Sequence, residues 1–139
     1  MRALTLIILA CISSVHAADD WSKRAAERVE GLMDNAKSRD DAASTILACT
    51  HPTGADATLV SIKASKSLDD GSVSAIFTIK WSGGLSGAHY TTEVTWQFGH
   101  RGHVSAKVSA DNALIPVASN KKVDKYFDQL FKNMFPNAR

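Results

Sequence analysis

Cysteine and proline are scarce in this chain, and neither sign of charge dominates. Two cysteines, Cys11 and Cys49, cannot build the framework of a disulfide-rich miniprotein. Proline falls only at Pro52, Pro116 and Pro136, and no repeat, linker or low-complexity tract breaks the sequence. A formal net charge of +2, from 16 basic and 14 acidic side chains, excludes a charged disordered tail. It also argues against a nucleic-acid footprint. At 139 residues the chain is too short for a multi-domain enzyme. The longest apolar stretch, Ala3 to Ile12, is ten residues, about half of what a membrane-spanning helix needs, so stable membrane insertion is not expected.

That stretch is informative in its own right. Met1-Arg2 supplies a positive start, the apolar run follows, and Ser13-Ser14-Val15-His16-Ala17 ends in a small residue. This is the pattern of a secretory signal peptide cleaved near Ala17, which predicts a secreted or periplasmic protein. Ile8-Leu9-Ala10-Cys11 is similar to a bacterial lipoprotein box, but its apolar core is short, and lipidation at Cys11 is not the expectation. Residues 1–17 are therefore read as leader and 18–139 as one domain. Those 122 residues carry fifteen basic against fourteen acidic side chains, a charge of +1. A chain of that size buries about two thirds of its unfolded surface, enough for a core without staples. Cys49 is left unpaired and reads as a small buried hydrophobe.

Periodicity predicts an α+β fold. Trp21, Ala25, Val29, Leu32, Met33 and Ala36 recur at helical spacing after a cap at Asp19 or Asp20. A second helix, capped by Asp40 or Asp41, runs through Ala43, Ile46 and Leu47 to His51-Pro52, and Thr53 to Asp56 reads as a turn. Four alternating segments follow. Val60, Ile62 and Ala64 share a face of the first, and Val73, Ala75, Phe77, Ile79 and Trp81 a face of the second. Val94, Trp96 and Phe98 do so in the third, and Val104, Ala106 and Val108 in the fourth. A three-residue loop, His100-Arg101-Gly102, would pair Phe98 with Val104, Trp96 with Ala106 and Val94 with Val108, with Gly102 in a glycine-type bulge. Leu114 to Val117 reads as an extended edge segment. Ser119 or Asn120 then caps a final helix with Val123, Phe127, Leu130, Phe131 and Met134 in one stripe, stopped by Pro136. The expected architecture is thus two N-terminal helices, a four-stranded antiparallel meander and a C-terminal amphipathic helix.

In element order this resembles cystatin-like and NTF2-like α+β folds. The closing helix departs from the simple cystatin pattern, and an NTF2-like chain would place another helix between the first strands. No family motif is present, so the resemblance implies no residue roles.

Candidate chemistry is thin. His100-Arg101-Gly102-His103 is the only histidine cluster, and two local ligands fall short of the four of a structural zinc site. Cys49-Thr50-His51 has no third partner for nucleophilic catalysis. The acid pairs Asp19-Asp20, Asp40-Asp41 and Asp69-Asp70 read as caps and turns. The Gly83-Gly84-Leu85-Ser86-Gly87 loop joins strands and fits no phosphate-binding pattern. Lys121, Lys122 and Lys125 crowd the start of the last helix, against its dipole, and hint at an acidic partner. A polar sheet face carries Ser74, Thr78, Lys80, Thr95, Gln97, Ser105, Lys107 and Ser109.

The expectation is a non-enzymatic binding protein, without cofactor or metal, acting on another envelope or extracellular protein as an inhibitor, immunity-type or accessory factor. His100, Arg101, His103, Lys80, Gln97 and Lys107 are the candidate binding surface. The alternative is a small-ligand carrier with an apolar pocket between sheet and helix, and after it a small enzyme with a His/Asp site there.

Overall fold

The computed structural model describes residues 21–67, 70–83, 87–110 and 120–138. A helix, α1, runs through residues 21–30 and tightens into a 3-10 turn at Gly31–Asp34; α2 spans Ala36–Thr50. Strands β1 (Gly54–Lys66), β2 (Val73–Gly83), β3 (Ala88–Gly99) and β4 (Gly102–Ala110) follow, then α3 (Asn120–Met134). The strands form one antiparallel sheet in the order β1-β2-β3-β4. This is the α+β meander between helices that the periodicity predicts.

Alternation divides the sheet into two unlike faces. Val73, Ala75, Phe77, Ile79 and Trp81 of β2 stand opposite Phe98, Trp96, Val94, Thr92 and Tyr90 of β3. Helix α2 packs over β1, α3 packs over β4, and the two helices touch. Alanines at 42 and 43 let α2 lie close to the sheet, with Ile46, Leu47 and Thr50 buried beside them. Val123, Phe127, Phe131 and Met134 form the buried stripe of α3. Phe127 meets Phe77 edge to face and lies tilted on Trp96, each with centroids 5.1 Å apart. Each such ring removed from water contributes about 1.5–3 kcal/mol.

Four local expectations are corrected. The cap of α2 is Asn35, whose side chain accepts from Ser38 N–H at 3.0 Å, so Asp40 and Asp41 lie inside the helix. Strand β1 begins at Gly54, within the segment expected as a turn, and Asp56 takes a left-handed φ of 52° at a register irregularity there. A second irregularity, between Leu59 and Ser61, puts Leu59 in the core and leaves Val60 44% exposed. The β3–β4 pairing holds as expected for Val94 with Val108 and Trp96 with Ala106. At the tip, however, Gly99 pairs with Gly102 and Phe98 with His103, so the loop has two residues, and Val104 is the extra residue of a bulge, 65% exposed. Asp70 does act as a turn residue, accepting from Ser72 N–H at 3.0 Å. Asp19, Asp20, Asp69, Leu114 to Val117 and Ser119 lie outside the described residues.

Both sheet edges are met by helix carboxylates. Glu30 of α1 accepts the Ala64 N–H of β1 at 2.8 Å, and Asp124 of α3 accepts the Ala106 N–H of β4 at 3.1 Å. Helix α1 spans the hairpin end of the sheet. Trp21 at its start lies against Phe98 and His100, Ser22 hydroxyl donates to the Gly71 carbonyl, and Glu30 reaches the β1 edge.

At the opposite end the chain enters the sheet through a close approach at Gly54. A Cβ there would stand 2.8 Å from Trp81 Cε3, 2.9 Å from Leu47 Cδ1 and 3.1 Å from the His51 carbonyl. Gly54→Ala is therefore expected to cost about 1–3 kcal/mol through overpacking. Gly99→Ala, whose Cβ would meet nothing within 4 Å, is expected to be within about 0.5 kcal/mol of wild type. Urea denaturation of the two variants side by side checks both.

Candidate functional site

Three polar features and one groove system merit comparison. The first grows from Trp96, whose indole is wholly buried. Its N–H donates to His103 Nδ1 at 3.1 Å, and His103 Nε2 lies 3.0 Å from Asp124 Oδ1. An indole nitrogen only donates, so Nδ1 accepts and the imidazole proton sits on Nε2, pointed at Asp124. The result looks like the His–Asp half of a hydrolase site, but Trp96 occupies the nitrogen that would face a nucleophile. The cluster can hold a core together; it has no free nitrogen with which to take a proton.

The second feature sits at the other end of the sheet. Trp81 N–H donates to Thr92 Oγ1 at 2.9 Å, and Thr92 Oγ1 lies 3.2 Å from His51 Nε2. Thr92 accepts from the indole and can donate its own proton to Nε2, which leaves the imidazole proton on Nδ1. That nitrogen is buried and lacks a partner. The His51 ring stacks on Trp81 with centroids 4.5 Å apart, and Tyr90 lies on the same indole at 4.8 Å. Burial lowers the His51 pKa from its ordinary value, since a charged imidazole loses hydration there. His51 also closes α2, its N–H bonding the Leu47 carbonyl at 2.7 Å.

The third feature is the seam of α2 and α3. Cys49 is half-buried, and burial raises its pKa more than the nearby Lys122 charge lowers it. Tyr126 is pushed up to about 12, first by burial and then by Asp41 and Cys49. A thiol raised in this way is a weak nucleophile. His51 faces Trp81 and Thr92, so the structure does not bring the Cys49-Thr50-His51 side chains into a catalytic pair.

The groove system lies at the β3–β4 tip. One groove, of about 420 Å³, is lined by Trp21, Arg28, His100, Phe135 and Pro136. A second, of about 350 Å³, is lined by Arg101, Asp128, Phe131, Lys132, Phe135 and Pro136. Phe135 and Pro136 form a wall common to both. Trp21 is half-buried, its ring 5.0 Å from His100 and 5.8 Å from Phe135, and the Arg28 guanidinium stands 5.6 Å over the Phe135 ring. The carboxylate of this lining, Asp128, is held by Lys132 at 3.1 Å.

The six residues expected as a binding surface therefore separate. His100 and Arg101 are exposed and line these grooves. Lys80, Gln97 and Lys107 are exposed on the sheet face that α2 and α3 leave open. His103 turns inward to Trp96 and Asp124. Phe135 and Trp21, which make the groove walls, were not singled out in the sequence as binding residues. A stop at Pro136 and an aromatic at the start of an amphipathic helix were the available signals. Among the described residues no cluster of three or more His, Cys, Asp or Glu side chains could hold a metal ion, and no helix is long and apolar enough to cross a membrane. No protein-family model, no curated protein and no solved structure matches this chain.

His51 gives the site region a pH signature with a definite sign. Its folded pKa lies below that of the unfolded chain, so above the unfolded value both states carry a neutral His51 and its contribution to stability is at its maximum. As pH falls below about 6.5 the unfolded chain takes up a proton that the fold refuses, and stability drops by at most about 1.4 kcal/mol per pH unit. Denaturation midpoints at pH 8, 6 and 5 should fall in that order, and His51→Phe, which keeps the stack on Trp81, should flatten part of the slope. An unchanged slope in His51→Phe would assign the acid sensitivity to other groups.

Proposed function

We propose that this chain is an exported, non-enzymatic binding protein that acts on another envelope or extracellular protein through its surface. The observation that carries this reading is where the space lies. The layer between sheet and helices, which a small-ligand carrier would need, is filled by Phe77, Trp96, Phe98, Phe127 and Phe131, all buried. The grooves lie on the outside, and two of them flank the β3–β4 hairpin tip, where exposed His100 and Arg101 stand near half-buried Trp21 and the Phe135 wall. Both histidine networks support the same reading, since each is tied to a tryptophan and serves the core.

Site-specific photo-crosslinking tests it. A photoreactive amino acid is placed at Asn137, an exposed residue of the first groove, at Lys80 or at Lys121, and the chain is expressed with its leader in a bacterial host. A discrete adduct of one partner, reproduced with the two purified proteins at 1:1 stoichiometry, is expected from at least one position. Absence of any adduct from all three positions in folded protein would count against a surface-acting role.

A further inference from the structure

The hairpin-tip grooves carry a more specific assignment, which rests on the interaction reading above. We propose that they receive an extended acidic peptide segment of a partner protein, with an apolar side chain seated against Trp21 and Phe135 and flanking carboxylates met by Arg28 and Arg101.

Charge decides the occupant. Arg28, His100 and Arg101 are all exposed on the lining of the two grooves. Asp128, the carboxylate in that lining, is already paired with Lys132. Neither Arg28 nor Arg101 has a carboxylate partner among the described residues. Arg28 rests on the Phe135 ring, which leaves the planar guanidinium its outward donors for a carboxylate. Lys132 lies in the last turn of α3, where it offsets the partial negative charge of the helix end beside the second groove. An incoming cation would meet two guanidiniums, whereas an anion would meet complementary charge on either side of one apolar wall.

The apolar component has its own support. Trp21 is the tryptophan left half-buried, whereas Trp81 and Trp96 are buried and their indole N–H groups are already bonded to Thr92 and His103. Aromatic rings and arginines together are the side chains that most often anchor protein interfaces. Strand addition is a poorer alternative for the same partner, because Glu30 and Asp124 already hold edge amides of β1 and β4.

The three tryptophans make the test selective. Nitrogen-15 NMR of the purified chain gives one indole N–H signal for each. Titration uses a twelve-residue capped peptide alternating glutamate with leucine and phenylalanine. The Trp21 signal should move while those of Trp81 and Trp96 stay fixed. Arg28→Glu with Arg101→Glu should weaken binding by about tenfold or more, with the Trp81 and Trp96 signals reporting an intact fold. Lys80→Glu with Lys107→Glu, on the open sheet face, should leave binding within about twofold.

Equal weakening by the two double variants would show general attraction to a cationic protein and overturn the assignment. So would a stationary Trp21 signal, equal binding of a peptide with serine in place of its apolar residues, or binding to anionic lipid vesicles without binding to the peptide. Failure here is distinguishable from failure of the broader reading. A partner adduct at Lys80 or Lys121 but not at Asn137 removes the groove assignment alone, whereas no adduct at any position removes the interaction reading itself.

Discussion

The indole N–H of Trp96 has to be satisfied inside the core, and much of the architecture depends on how it is done. A buried donor without an acceptor costs about 1–3 kcal/mol, comparable to the gain from burying a ring. Here the acceptor is His103 Nδ1, seven residues along the chain and on the neighbouring strand. For the imidazole to face inward, β4 must leave the register that simple alternation would give it at the tip. The bulge at Val104 makes that shift, and Val104 itself is left in solvent. Turning His103 inward creates a second donor, Nε2–H, which Asp124 accepts. Asp124 lies on α3, so the hydrogen-bond chain that begins in the sheet fixes the position of the closing helix. The same carboxylate oxygen takes the Ala106 amide of the β4 edge. One indole proton therefore links hairpin register, helix docking and edge protection.

The other edge reaches a similar result by independent means. In β1 the irregularity at Val60 puts that side chain outside and Leu59 inside, and Glu30 of α1 takes the Ala64 amide. Val60 and Val104 are the exposed large hydrophobics of the described residues, and both are the extra residues of edge-strand bulges. A bulge interrupts the straight row of donors and acceptors that a second chain would need, and a carboxylate at an edge amide occupies one of them. The two devices together turn both edges from pairing templates into ordinary surface. Association through side chains is what they leave.

Much of this was legible in the sequence, and what was not follows a pattern. The faces of β2 and β3 could be read because strict alternation with Val, Phe, Ile and Trp admits one burial choice. The stripe of α3 was clear for the same reason. Alternation cannot show a bulge, which shifts the phase by one residue; at Val104 the shift depends on His103 reaching Trp96 and Asp124, twenty-one residues apart in the pair His103–Asp124. The cap of α2 is hidden in the sequence because Asp40-Asp41 offers the stronger signal, while Asn35 lies at the end of a 3-10 turn that propensity does not announce. Phe135 carries no periodic signal, because it follows the last helical turn and precedes a proline. Its contacts with Trp21, Phe98 and Phe131 exist only once the sheet and both terminal elements are assembled. His100 and Arg101 were placed on the surface by their turn, but which walls they would share was a tertiary matter.

The two ends of the sheet show why the hairpin tip is the place to look for function. At the β2–β3 end, Gly54 admits the close passage of the chain, and Tyr90 covers a buried stack of Trp81 and His51 whose hydrogen bonds run inward to Thr92. Its one loose group, His51 Nδ1, is buried and so offers nothing to a partner. At the hairpin end the aromatic packing does not close. Trp21 lies across Phe98 and Phe135 and remains half in solvent, with Arg28 on the Phe135 ring and His100 and Arg101 standing beside it. Stability alone would favour covering that indole, as Trp81 and Trp96 are covered. A partly open aromatic set ringed by cations has a simple physical use: it retains apolar area and charge that become fully satisfied only when a complementary surface is added.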